Sequence, residues 1–342
     1  HSDTKRYGYA LIYFLVSVSL GIILIRGGIT NIPINQSVAY FSPDAFANDV
    51  AVNPLYNLLQ DATIQSNIPA PEQYRHFTPL AAKQLIAPDI HFETDSTVHI
   101  LNEDRPNLVF IFLESWSADN VGCLGGLSSC TPQFDSLSRE SLLFTHAYAN
   151  AYVSDQGIPA VLSACPSVSR VAFINQPVTV PSLPCISEEL RQQGYSTSFL
   201  FGGDLVYGNL RGYLLEKKFM RLVEQKDLTQ YPHGRLGVHD AYTFPELLRE
   251  LDGQKPPFLQ GFFTVSSHMP YDYEATDTWA SAANDPEKKY TEAVHYSDIQ
   301  LGKFFREAKT RPWYPHTLFV VVADHSHNSI RQWDPATAMH AR

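Results

Sequence analysis

The sequence predicts an α/β domain, with a central sheet flanked by helices, preceded by a transmembrane helix. Three observations carry this expectation. From Arg105 onward, apolar runs rich in β-formers alternate with amphipathic helical segments, the pattern of a sheet covered by helices. Each strong strand is followed directly by polar, metal-competent side chains, which gathers chemistry at the carboxyl edge where open α/β sheets build their sites. Ahead of all this, Tyr7–Ile25 run 19 residues without a charge.

That first run, YGYALIYFLVSVSLGIILI, is closed by Arg26. At about 1.5 Å per residue it matches a hydrocarbon core of about 30 Å. A buried core helix or a signal sequence would be equally apolar, but no A-x-A-like cleavage site ends this run and the chain continues far beyond it. Lys5 and Arg6 before it, against Arg26 alone just after it, favour a cytoplasmic N-terminus and an outward-facing remainder. The chain opens with His1 rather than Met, which predicts a piece of a longer protein with further spans upstream.

Three units follow from texture: an anchor over 1–27, a juxtamembrane connector over 28–104 and a globular domain over 105–342. The connector holds Asn/Pro-rich stretches (NIPINQ, NIPAPEQ) and short helical pieces such as 47–61, with no strong strand pattern. The whole chain sets 25 Lys+Arg against 35 Asp+Glu, a formal charge of -10. That balance offers no general basic surface to a phosphate backbone and predicts no nucleic-acid partner.

The expected strands are Asn107–Leu113 (NLVFIFL), Ser196–Phe201 (STSFLF), Phe258–Val265 (FLQGFFTV) and His316–Ala323 (HTLFVVVA). Behind them stand, in order, Glu114, Gly202-Gly203-Asp204, Ser266-Ser267-His268 and Asp324-His325. Among the intervening helices, 284–309 repeats Tyr290, Val294, Leu301 and Phe305 at helical spacing, which reads as a core stripe. The four cysteines form two sequence-local pairs, and an outward location predicts Cys123–Cys130 and Cys165–Cys185 bridges, with buried free thiols as the alternative.

Asp324 and His325 leave a strand end together and can reach one cation, and Glu114, ending another strand, supplies a third ligand. In YVSDQGIPAVL (152–162) a turn enters a helix, with Pro159 allowed in the first turn. Ser154 then sits near a helix N-terminus, where an oxyanion or phosphate is favoured. It serves there either as a helix cap or as a metal-bound nucleophile.

These residues carry a resemblance. The strings RPNLVFIFLES (105–115), TPQFDSLSRES (131–141), SDQGIPAVLSACPS (154–167), FGGDLVYGNLRGYL (201–214), VHDAYTFPELL (238–248), TVSSHMPYD (264–272) and YSDIQLGKFF…TLFVVVADHSH (296–327) resemble the extracellular domain of the lipoteichoic-acid synthase family, in the alkaline phosphatase and sulfatase superfamily. The resemblance implies an alkaline phosphatase/sulfatase-like sheet over 105–342, its C-terminal end truncated because family members continue with further sheet. It implies one divalent metal, Mn2+ or Zn2+ with Mg2+ as a third candidate, on Glu114, Ser154, Asp324 and His325. Ser154 falls where the family usually carries its nucleophilic Thr, in a T-x-x-G segment reading Ser154-Asp155-Gln156-Gly157. His268 matches a substrate-binding His that stabilises the phosphate or protonates the leaving group, and Asp204, Arg211 and His340 match substrate-contacting positions. Arg211 reads equally as a salt-bridge residue.

The activity so implied is transfer of phosphoglycerol or phosphoethanolamine from a phospholipid donor to an envelope glycan or lipid acceptor, on the outer side of the cytoplasmic membrane. Two other readings stand beside it: a one-metal phosphodiesterase or sulfatase-type hydrolase, and a non-catalytic envelope sensor. The C/S-x-P-x-R motif of sulfatases is absent, since Pro166 follows Cys165 directly.

Overall fold

The computed structural model describes residues 2–29, 33–67, 76–90, 100–127, 129–167, 171–176, 179–273 and 285–327. Its centre is a five-stranded sheet of β1 (Asn107–Leu113), β2 (Ser196–Phe201), β3 (Arg221–Val223), β4 (Phe258–Phe263) and β5 (Thr317–Ala323), in the order β3-β2-β4-β1-β5. Every pairing is parallel. Central strands of such a sheet are covered on both faces, which is why β1 reads as a continuous apolar run from Leu108 to Leu113 and β4 is buried throughout, Gln260 included.

Four helices precede the sheet: α1 (Ser2–Arg26), α2 (Ala45–Ala51), α3 (Pro54–Asn67) and α4 (Pro79–Ile90). Six more serve the domain: α5 (Pro132–Ser138), α6 (Ser154–Leu162), α7 (Ile186–Gln192), α8 (Leu210–Glu216), α9 (Asp240–Gly253) and α10 (Pro286–Ala308). The period of two along β1 splits its side chains between two cores. Val109, Ile111 and Leu113 pack with Phe244 and Leu247 of α9 and with Val294, Leu301 and Phe304 of α10. Phe110 and Phe112 pack with Ile158 of α6, Leu190 of α7 and Tyr213 of α8 on the other face. Each such side chain contributes about 1.5–3 kcal/mol.

Four details differ from expectation. The third expected strand ends at Phe263, one bond short of Thr264 N, which still donates to Phe112 O at 3.0 Å before the chain turns into the site; β3, only three residues long, was not anticipated. The expected helical piece 47–61 is two helices, and Pro54 opens the second at a position needing no N–H. The connector also packs partly on the domain. Ser37 is fully buried, its Oγ accepting from Gly212 N at 3.0 Å, and Asn35 Nδ2 donates to Val206 O at 2.6 Å.

The fourth is a correction: neither expected disulfide is present, and all four thiols are free. The Cys123 thiol lies beside Asp135 and Ser138 of α5, whereas Cys130 turns away to the Thr291 carbonyl of α10 at 3.4 Å. Cys185 is buried between Ser187 Oγ at 3.1 Å and the Tyr213 hydroxyl at 3.9 Å, while Cys165 lies half-buried against the Pro166 carbonyl. Ahead of the domain, Lys5–Arg26 is apolar and long enough to cross a membrane, and none of it is buried against the rest of the chain.

Candidate active site

Register builds the site. β1 and β5 pair with Leu113 opposite Ala323, so the next residues, Glu114 and Asp324, emerge side by side at the carboxyl edge. Parallel strands lie about 4.8 Å apart. One ligand atom each from Glu114, Asp324 and His325 accordingly lies within 4.8 Å of the others. On the other flank of β1, Glu114 N donates to Thr264 Oγ1 at 2.9 Å and Glu114 O accepts from Ser267 Oγ at 2.6 Å. These bonds fix the backbone of Glu114 between β4 and β5.

The turn after Glu114 is strained. Ser115 has φ of 56°, a left-handed conformation that costs a non-glycine residue of order 1–3 kcal/mol. Three bonds hold it there. Its N–H donates to Asp324 Oδ1 at 2.9 Å, its carbonyl accepts from the Tyr290 hydroxyl at 2.6 Å, and its Oγ donates to Glu114 Oε1 at 2.5 Å. Tyr290 thus serves the site as well as the core stripe.

Asp324 is divided in function. Oδ1 accepts N–H bonds from Ser115 and His325, both at 2.9 Å, whereas Oδ2 is buried with no hydrogen-bond partner. His325 Nδ1 donates to the Ser326 carbonyl at 2.9 Å, which puts the proton on that nitrogen and leaves a lone pair on Nε2. Nε2 stands 3.3 Å from Asp324 Oδ2 and 3.8 Å from Glu114 Oε1. Burial raises both carboxyls, and the Glu114 charge adds to it for Asp324, which is pushed up to about 7. Two buried acids, an unsatisfied oxygen and an oriented imidazole lone pair fit a divalent cation, which would supply the missing positive charge.

Ser154 completes the cluster. It is the first residue of α6, and the N-cap position belongs to Val153, so its hydroxyl does not cap the helix. Its Oγ instead lies 3.3 Å from Glu114 Oε2 and 3.4 Å from His325 Nε2, near the positive end of the helix dipole. Gly157 allows this approach: a Cβ there would stand 2.1 Å from the Asp324 carbonyl oxygen. Asp155 beside it is raised by burial, and its Oδ1 has no partner.

Glu114 and Ser154 open into a cavity of about 750 Å³ that Asp204, Arg211 and His268 also line. His268 Nδ1 donates to the Met269 carbonyl at 2.6 Å, leaving Nε2 for a ligand. Arg211 is tied inward, to Glu224 at 2.7 Å and Asp204 at 3.4 Å. His340 lies outside the described residues. Reading the sequence alone missed Ser115, Thr264, Ser267, Gly157 and the second role of Tyr290. The first four stood in the matched strings, but each acts through its backbone or through a neighbour, which residue type does not announce.

The sulfatase family profile matches residues 106–340. The chain belongs to the sulfatase family. In this sulfatase-family domain the match runs from the start of β1 past the Asp324-His325 pair, so it contains every site element described above. The chain is 25% identical over 309 residues to phosphoglycerol transferase I of Escherichia coli, covering 79% of this chain and 38% of that protein. It is 21% identical over 246 residues to lipoteichoic acid synthase 2 of Bacillus subtilis, covering 69% of this chain and 37% of that protein. The chain thus spans less than two fifths of the length of these curated relatives. A solved structure of an alkaline phosphatase superfamily protein from Vibrio parahaemolyticus superposes with a TM-score of 0.62 at 32% identity, covering 68% of this chain and 57% of that one.

Proposed function

We propose that this domain transfers a phosphorylated head group, phosphoglycerol or phosphoethanolamine, from a phospholipid to an envelope glycan or lipid acceptor through a covalent Ser154 intermediate. Residues 1–27 anchor it in the cytoplasmic membrane, 28–104 connect, and 105–342 catalyse on the outer side. The observation that carries the reading is the unpartnered Asp324 Oδ2 in a cluster that also holds Ser154 Oγ, 3.3 Å from Glu114. The activities named for the Escherichia coli and Bacillus subtilis relatives support the substrate class.

Glu114, Asp324 and His325 would hold one divalent ion, Mn2+, Zn2+ or Mg2+, and that ion would lower the pKa of the Ser154 hydroxyl enough for attack at neutral pH, the proton passing to solvent. Ser154 Oγ then bonds to phosphorus while the bond from phosphorus to the diacylglycerol oxygen breaks. His268 gives its proton to that leaving oxygen. In the second half an acceptor hydroxyl attacks the phosphoserine, frees Ser154 and returns a proton to His268. Asp204 and Arg211, on the cavity wall, orient the head group, and His340 is a further substrate contact.

The test compares wild type, Ser154→Ala and Ser154→Thr on a phosphodiester head-group analogue, with intact-mass measurement after incubation with phospholipid. Loss of the nucleophile should cut turnover by several orders of magnitude and remove the mass adduct, while the Thr variant, which keeps the attacking oxygen, stays active. A Ser154→Ala protein with near-normal turnover would replace this mechanism with water attack by a phosphodiesterase.

A further inference from the structure

The far wall of the cavity does not come from the sulfatase-family domain. It is made by Gly27, at the end of the anchor, and by Ile29, Pro33, Ile34 and Val38 of the connector, while Glu114, Ser154 and His268 line the part that carries the chemistry. This placement is built into the fold. Asn35 bonds Val206, Ser37 bonds both Asn209 and Gly212, and the Tyr40 ring packs where a Cβ on Gly212 would come within 2.9 Å of it. With that stretch clamped, the neighbouring apolar side chains are left uncovered: Ile29 is 87% exposed, Val38 51% and Ile34 37%.

The same wall stands beside the apolar helix. Ile29 follows Arg26 by three residues. Three residues span at most about 11 Å, and the head-group layer on each side of a bilayer core is about 5–8 Å deep. If α1 spans the membrane, the cavity's connector wall therefore sits at its surface. Residues 27–43 contain no Asp, Glu, Lys or Arg, so no charged side chain in them opposes contact with lipid. Farther along, Phe41, Phe46 and Val50 are also widely exposed, at 71%, 75% and 69%.

Resting on the head-group transfer reading above, we propose that Ile29, Ile34 and Val38 are the acyl-side wall of the donor site. The donor phosphate lies at Ser154, and its glycerol ester and the first acyl carbons lie against the connector. The enzyme thereby takes a diacyl phospholipid in place at the bilayer surface, and the connector is part of the substrate site as well as a tether. An apolar wall of this kind favours membrane-resident donors over acyl-free diesters bearing the same head group.

The experiment uses the full chain reconstituted in nanodiscs, with Ile29→Asn and Val38→Asn. Both positions are exposed, so neither substitution threatens folding, and both keep the local charge. Each variant is assayed on a diacyl phospholipid and on an acyl-free soluble phosphodiester with the same head group. The expected result is a fall of at least tenfold in kcat/KM on the diacyl donor, mostly through KM, with less than a twofold change on the acyl-free donor. Equal effects on the two donors, or no effect on either, would overturn the acyl-side wall while leaving the transfer reading intact. A wild-type protein that turns over the acyl-free diester and ignores the diacyl donor would overturn both.

Discussion

At the β2 side of the sheet's carboxyl edge, Arg211 bonds Glu224 at 2.7 Å and Asp204 at 3.4 Å, and Lys226 takes the other Glu224 oxygen at 2.6 Å. At the β1–β5 side, Glu114 and Asp324 face one another with His325 as the one basic side chain of the cluster. Glu224 and Asp324 are both buried, yet they shift in opposite directions. Burial pushes the Glu224 carboxyl up, but hydrogen bonds from Arg211 and Lys226 outweigh it and leave the group below its ordinary value. Burial raises Asp324 in the same way and nothing reverses it. A cluster whose acids are matched by bases holds structure together, whereas one that keeps an unspent oxygen is prepared for something absent from the chain itself.

The largest effect is expected where that oxygen is removed. Asp324→Ala and His325→Ala should each abolish stoichiometric divalent-metal content and lower turnover about a thousandfold or more, since a Lewis acid contributes several kcal/mol to such a transition state. Elemental analysis of the purified variants decides it; undiminished metal in both would dissolve the distinction between the two clusters. Arg211→Ala should do the reverse, leaving metal content intact and costing about 3 kcal/mol of stability by leaving the buried Glu224 with Lys226 and the Leu205 N–H but without its guanidinium. Urea titration measures the loss, and adding Glu224→Gln should restore part of it.

Gly157→Ala comes next. Its Cβ would collide with the Asp324 carbonyl at 2.1 Å, a backbone atom that cannot rotate away, so α6 or the β5 end must move. A stability cost of about 1–3 kcal/mol is expected from the overpacking. Turnover should fall further than stability, because Ser154 and Asp324 separate. Unchanged turnover in a normally folded variant would show that the close approach of α6 is dispensable.

How much of this was legible in the sequence depends on what each residue does with its side chain. β1 and β5 were readable almost to the residue from their long apolar runs, β2 from the Phe-Leu-Phe that runs into Gly202-Gly203, and β4 was readable except where Thr264 turns out to brace Glu114. β3 was not, since Arg-Leu-Val is too short to show any period. The three ligand candidates were visible because they follow strands, but their convergence depends on the β1–β5 register, which the sequence alone does not state. Ser is the preferred helix cap, so both roles of Ser154 stood open until Val153 was found at that position. The docking of Asn35 and Ser37 was hidden because polar residues in an Asn/Pro-rich stretch look solvated whether or not they are.

The two clusters also separate by pH alone. In metal-free protein Asp324, raised to about 7 from an ordinary 3.8, keeps its proton in the fold across a window in which the unfolded chain has lost it. The native state then binds more protons than the unfolded state, so stability falls as pH rises from about 4 to about 7, by up to about 1.4 kcal/mol per unit, and levels off above. Glu224 has the opposite sign: its contribution is complete above its ordinary 4.5 and is lost only as pH falls below that, so it is flat over the upper part of the same window. Metal binding must displace the Asp324 proton, so apparent affinity should drop about tenfold for each unit below pH 7. Thermal melts of chelated protein between pH 5 and 8, with Asp324→Asn alongside, separate the terms. The downward slope should become shallower in Asp324→Asn and in metal-saturated protein, and it should survive unchanged in Arg211→Ala. A slope as steep in Asp324→Asn as in wild type would assign it wholly to other buried acids, with Asp298, pushed up to about 7 by burial, first among them.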